Sequence, residues 1–340
     1  VIRGSAEVKA PSEKIRRARI ELPEIRMGTH DRFRELMARA ASGASVPTAV
    51  VHPCDEVSLP AALEAAKAGL IIPILVGPGT KIHAAARQAG LDIGALRLVD
   101  TPHSHAAAEA GVALVRNDEA GLLMKGALHT DELMHAVVAA NSGLRTDRRL
   151  SHVYLFDVPG YARPLLVTDA AINIAPSLAD KRDIIQNAID LAHIMGLATP
   201  RVAVLSAVET VNPAIPSTVD AAALCKMAER GQISGGLVDG PLAFDNAISP
   251  EAAREKGIVS PVAGLADILV VPDLESGNML AKQLTFLAGA DAAGIVMGAR
   301  VPIILTSRAD SPRTHVASCA VAVLVARARK SPPLPVPPEA

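Results

Sequence analysis

The chain has 340 residues, half of them apolar, with 34 Lys and Arg against 35 Asp and Glu for a formal net charge of -1. That length allows two α/β domains or one large one, and the interspersed charges exclude a general nucleic-acid or membrane-surface binder. With no Trp and 2 % aromatic residues, recognition by stacking on bases is excluded as the main mode.

Residues 1–29 read as an extension or linker, with a short extended run and then the charged stretch 13–19. The first residue is Val, which suggests a piece of a longer polypeptide. From residue 30, short β-branched runs alternate with Ala-rich helical stretches. Strands are expected at 48–51, 72–76, 97–99, 122–124, 165–168, 202–205, 236–238, 268–271, 295–297 and 303–305. Their continuous apolar character suits parallel strands covered on both faces. Thr130-Asp131-Glu132 opens one helix, and Ser249-Pro250-Glu251 opens another with an N-cap, a Pro and an early acid. Helices at 183–195 and 218–230 end at Gly196 and Gly231. The pattern predicts a doubly wound α/β architecture.

The polar stretch 141–152, between a helix and an extended run, marks a domain boundary, and 298–302 marks a second. Domain 1 is then 30–150 plus 301–330, because the last strand and helix return to it, and domain 2 is 151–300. The apolar run 316–326 has about half the roughly 20 residues of a membrane span and reads as a buried terminal helix. The Pro-rich residues 331–340 read as a disordered tail. Cys54, Cys225 and Cys319 show no CxxC spacing and read as reduced thiols of a cytoplasmic protein.

In open parallel sheets, ligands bind beyond the carboxyl ends of the strands. Polar clusters follow the predicted strands at 52–55, 77–81, 169–173, 206–212, 239–246, 273–278 and 306–311. Thr306-Ser307-Arg308 precedes Ser311-Pro312, the start of the terminal helix. This is either a capped helix with a surface arginine or an anion site, with Arg308 holding two oxygens beside the helix N-terminus. In the turn 273–278, Gly277 lets a ligand approach the backbone, Asn278 donates and accepts, and Lys282 lies one turn on. Asp239 and Asp245 sit in a turn-rich loop and serve either as acid/base groups or as backbone caps. Gly77-Pro-Gly-Thr-Lys81 lacks the spacing of a nucleotide P-loop, no GxGxxG follows a strand, and His103 and His105 have no third metal ligand.

Several long runs together resemble the phosphate acetyl/butyryltransferase family. They are LLVTDAAINIAPSLADKRDIIQNAIDLAHIMG (165–196), VAVLSAVETVNPAIPSTVDAAALCKM (202–227), GQISGGLVDGPLAFDNAIS (231–249), ADILVVPDLESGNMLAKQL (266–284) and PIILTSRADS (302–311). HPCD, ILVGP and LMKG agree near the amino end, so the likeness covers about 30–330. The resemblance implies two α/β domains like those of isocitrate and isopropylmalate dehydrogenases, with the active site in the interdomain cleft. It implies a homodimer, no metal, no permanently bound cofactor, and CoA and phosphate as substrates. It maps the family's Ser-Arg pair onto Ser307, against the thiol or carbonyl, and Arg308, against phosphate. Asp310 is the candidate base, and Asp239, Asp245, Gly277, Asn278, Lys282 and Thr306 are candidates for binding CoA or phosphate.

This sequence departs from the acetyltransferase branch at Thr314, where that branch carries a carboxylate, and at His135, where it carries an arginine. TSRADS and DGPLAFDNAIS look more like the butyryltransferase branch. The first 24 residues are similar to the end of a hydratase module that precedes the transferase in bifunctional relatives. Two competing readings are a non-catalytic CoA-binding or scaffolding module and an NAD-dependent decarboxylating dehydrogenase. The latter needs clustered aspartates, and those here are scattered.

Overall fold

The structure is a computed structural model and describes residues 31–307 and 310–330. Expectations for residues 1–29, for Arg308 and for the 331–340 tail lie outside the described residues.

The chain runs α1 (Asp31–Ala41), β1 (Val46–Val51), α2 (Ser58–Lys67), β2 (Ile71–Gly77), α3 (Gly79–Gln88), β3 (Arg97–Asp100), α4 (Ser104–Arg116), β4 (Leu122–Lys125) and α5 (Thr130–Val138). It continues with β5 (Ser151–Asp157), β6 (Leu165–Thr168), α6 (Leu178–Ile194), β7 (Arg201–Leu205), α7 (Pro216–Glu229), β8 (Leu237–Leu242), α8 (Phe244–Ile248) and α9 (Pro250–Glu255). β9 (Ile268–Val270), α10 (Leu274–Phe286), β10 (Asp291–Met297), β11 (Ile303–Ile304) and α11 (Pro312–Lys330) complete it.

The strands form one sheet in the order β3-β2-β1-β4-β11-β10-β5-β6-β9-β7-β8. β3, β2, β1, β4 and β11 are parallel, so the last strand returns to the amino-terminal block. β6, β9, β7 and β8 form a second parallel block. Between them lie three antiparallel steps, β11 to β10, β10 to β5 and β5 to β6. An odd number of reversals means that the carboxyl ends of the two blocks point to opposite edges of the sheet.

α1, α2, α3, α6, α7 and α11 share one apolar layer across one face. The other face is covered in two parts, by α4 and α5 over the first block and by α8, α9 and α10 over the second. The central strands β10 and β5 therefore cross a seam between the two coverings. β5 alternates across the sheet: Val153 and Leu155 enter the continuous layer, while Tyr154 and Phe156 face the divided side.

Most expected strands are present within a few residues, and three differences have physical causes. The extended run after 150 is a seven-residue strand, β5, paired on both sides. Its His and Tyr interrupt the apolar signal because they face the seam. α6 starts at Leu178 rather than 183, since Ser177 and Asp180 form a reciprocal capping box. Residues 239–246 are not a loop. β8 runs to Leu242 and α8 begins at Phe244. β8 is an edge strand, where Pro241 is tolerated because one row of its backbone groups needs no partner. The apolar run at 316–326 is the buried middle of α11, and none of the described helices is long and apolar enough to cross a membrane.

Candidate active site at the seam

Asp169 follows β6 and is almost fully buried. One carboxylate oxygen accepts the N–H groups of Ala171 and Ile172 at 2.9 and 3.0 Å. The other accepts the His152 backbone N–H at 3.1 Å and the Asn173 amide at 2.6 Å. Four donors at about 1.5–3 kcal/mol each offset the cost of desolvating one carboxylate. On the other side, the His152 ring places Nε2 3.4 Å from the Leu305 carbonyl oxygen, just past β11. His152 thus lies between the Asp169 turn after β6 and the Leu305 carbonyl after β11. Gly294 makes room for it: a Cβ there would lie 2.9 Å from His152 Nε2 and 3.1 Å from Leu305 O. Tyr154 meets His152 edge-on at 4.4 Å and stacks on Phe156 at 5.4 Å.

The chain passes from Leu305 into a turn before α11. The Ser307 N–H donates to Asp310 Oδ2 at 2.7 Å, and the Asp310 N–H returns to Ser307 O at 3.1 Å. Ser311 caps α11 by accepting the Thr314 N–H at 3.1 Å. Thr306 Oγ1 and His315 Nδ1 are 2.8 Å apart, and both residues are buried. Ser307 is exposed. Asp310 lies close enough for its charge to act on His152, Tyr154 and His315. Asp55, beyond β1, and Lys125, at the end of β4, also act on His315. Lys125 is 9 % exposed, and its ammonium donates to Gly126 O at 3.2 Å. The charges of Asp55, Lys125 and Asp310 therefore all act on the His315 imidazole that Thr306 contacts.

Burial first, then the Lys81 charge, holds the His52 imidazole below its ordinary value. Burial also lowers His152 and His315, against neighbouring carboxylates that pull the other way. Burial pushes the Cys54 thiol up to about 11, which leaves it protonated and a poor nucleophile.

The structure does not gather all the residues that the sequence singled out. Thr306, Ser307 and Asp310 adjoin the seam, and Arg308 lies between them in the chain, outside the described residues. Asn278 Nδ2 donates to Ala170 O at 3.3 Å, which brings α10 against the Asp169 turn. Gly277 makes the same close approach, but to the protein's own backbone: a Cβ there would lie 2.7 Å from Asp169 O. That corrects its expected role in admitting a ligand. Lys282 is exposed one turn further along α10.

Asp239 and Asp245 belong elsewhere. β8 is six strands from β11, roughly 29 Å at about 4.8 Å per strand, and its carboxyl end lies at the opposite edge. Asp239 accepts the Gly240 N–H at 2.8 Å, and Asp245 pairs with Lys256 at 3.2 Å. His103 caps α4 by accepting the Ala106 N–H at 3.2 Å. Sequence reasoning did not single out His152, Tyr154, Lys125 or His315. The available signals were a lone Lys closing the apolar run Leu122–Lys125 and a His inside an otherwise Ala- and Val-rich helix.

The molecule is an open α/β enzyme scaffold whose polar centre sits where two parallel blocks meet. The crystal structure of a branched-chain phosphotransacylase from Enterococcus faecalis V583 matches it with a TM-score of 0.73 and 31% identity, over 83% of this chain and 99% of that one. A phosphotransacetylase from Streptococcus pyogenes shows the same fold, with a TM-score of 0.74 at 23% identity over 88% of this chain and 99% of that one. Residues 104–323 match the family model for phosphate acetyl/butaryl transferase. The phosphate acetyltransferase of Rhizobium meliloti is 65% identical over 300 residues, 88% of this chain and 95% of that protein. The phosphate butyryltransferase of Clostridium acetobutylicum is 42% identical over 294 residues, 86% of this chain and 98% of that protein. The chain belongs to the phosphate acetyl/butyryltransferase family of acyltransferases.

Proposed function

We propose that the chain reversibly transfers a short acyl group between CoA and inorganic phosphate at the 306–310 turn. The observation that carries this is that Asp55, Lys125 and Asp310 all act on His315, whose ring meets Thr306 next to Ser307. Thiol attack on an acyl phosphate needs a thiolate, a stabilised carbonyl oxygen and a neutralised phosphate. Arg308 neutralises the phosphate with two parallel hydrogen bonds. Ser307 hydrogen-bonds the reacting thiol. Asp310 accepts the thiol proton on the oxygen that the Ser307 N–H does not occupy. Asn278 and Lys282, on α10, serve CoA from the other wall.

Acetyl is the favoured acyl group. The relatives at 57% to 65% identity are named as acetyltransferases, and two butyryltransferases stand at 42% and 43%. This outweighs the butyryl-like patterns TSRADS (306–311) and DGPLAFDNAIS (239–249). CoA and phosphate enter as substrates with no permanently bound cofactor. The two lobes, 30–150 with 301–330 and 151–300, close around the cleft. A cytoplasmic homodimer and an upstream hydratase module complete the reading, supported by the family resemblance.

The test is CoA and phosphate turnover with acetyl-, propionyl- and butyryl-CoA. Transfer that is fastest with acetyl-CoA and persists after chelation supports the proposal. Binding of CoA with no transfer to phosphate would reject it in favour of a binding module.

A further inference from the structure

The steps above leave the rings on the seam side of β5 unused. Tyr154 pairs with Gly294 on β10 and with Val167 on β6, so it stands on the seam floor. Across Gly294 lies Leu305, where the chain turns toward Ser307. The Tyr154 ring is held from two sides, edge-on by His152 at 4.4 Å and stacked by Phe156 at 5.4 Å. Such pairs prefer one geometry, so the direction of the hydroxyl is set before any ligand arrives.

Among the described residues, the Tyr154 hydroxyl has no hydrogen-bond partner, whereas the Tyr161 hydroxyl donates to Ala266 O at 2.6 Å. The Tyr154 hydroxyl is not sealed from solvent, so it can donate to a ligand that displaces water there. The charge of Asp310 acts on Tyr154, so the phenol and Asp310 are neighbours. Burial, and then that charge, push the phenol above its ordinary range, which keeps it a proton-bearing donor.

Resting on the acyl-transfer reading, we propose that the Tyr154 hydroxyl donates a hydrogen bond to the acyl carbonyl oxygen as it becomes an oxyanion. The thiolate sulfur bonds to the acyl carbon, and the carbonyl π pair moves onto oxygen. The carbonyl then re-forms as the bond from the acyl carbon to the phosphate oxygen breaks, and phosphate leaves with that electron pair. The tyrosine keeps its proton throughout. A neutral donor fixed at that point strengthens its bond as the charge develops, and so acts on the transition state rather than on binding.

Tyr154→Phe removes the hydroxyl and keeps both ring contacts. The expected result is a fall in kcat of about 100-fold, the typical cost of one oxyanion donor. KM for CoA and for acyl phosphate, the pH profile and the thermal midpoint stay at the parent's values. A kcat equal to the parent's overturns the inference, and so does a raised KM with kcat intact. A parent chain that transfers no acyl group fails the functional reading itself, and this inference with it. An active parent with an equally active Tyr154→Phe fails this inference alone.

Discussion

Residues 306–310 and 239–246 look alike in sequence. Each was expected to follow an apolar strand, each carries hydroxyl, amide or carboxylate groups, and each leads into a helix. The fold separates them. The first follows β11, beside the seam, and the charges of Asp55, Lys125 and Asp310 meet at His315 behind it. The second lies on and beyond the edge strand β8, where Asp245 answers to Lys256 in solvent. Polar residues after a strand gather further polar groups when that strand's neighbours bring their own polar ends beside them, and an edge strand has a neighbour on one side only.

The sharpest test of that contrast is Arg308→Ala, expected to lower turnover at least ~100-fold by removing the proposed electrostatic partner of phosphate. Arg308→Lys should recover part of the loss, since lysine keeps the charge but not the two-pronged geometry. Recovery of the full rate would mean that charge alone suffices. Next in size is Ser307→Ala, expected to slow turnover about tenfold, the scale of one hydrogen bond. Asp239→Asn and Asp245→Asn should each cost less than Ser307→Ala. If either costs more, the edge strand contributes to the site and the contrast collapses.

A finer comparison lies within the turn itself. Asp310→Asn should lower turnover more than Thr314→Ala, whose hydroxyl meets Ser311 Oγ at 3.0 Å and so belongs to the helix cap. Rates against pH for the two variants and the parent decide this. An unchanged rate and profile in Asp310→Asn would make that residue purely a cap of the Ser307 N–H.

The smallest effect concerns stability. His52, His152 and His315 are all held below the ordinary value of 6.5 by burial. As pH falls through that value, the unfolded chain binds protons that the folded chain resists, so stability is lost on acidification and regained as pH rises. The thermal midpoint should therefore drop between about pH 7 and pH 5, and His315→Gln should drop less steeply. Parallel curves for parent and variant would remove His315 from this account.

Residues 302–311 were legible because several signals agree there: an apolar strand, a Ser-Pro helix start and a family motif. Asp310 was also legible as a helix-approach aspartate, and it does accept the Ser307 N–H. His152 and Tyr154 were not, because nothing in a lone polar residue within an extended run says which face it will meet. Gly277 misled for a related reason. Glycine signals a close approach, and here the approaching backbone is Asp169–Ala170 of the same chain.

Local physics was enough for the alternation of strands and helices, the capped start of α11 and the burial of its middle. Those depend on periodicity, capping and apolar content, which act over a few residues. The order of strands depends on contacts far apart in sequence, such as β11 returning to β4 and β5 standing between β10 and β6. That order reversed the second block, moved Asp239 and Asp245 away from Ser307, and set Tyr154 and His152 on the seam floor. A strand's place in a sheet is decided by which neighbours bury its two faces and pair its backbone, and those neighbours come from the whole chain.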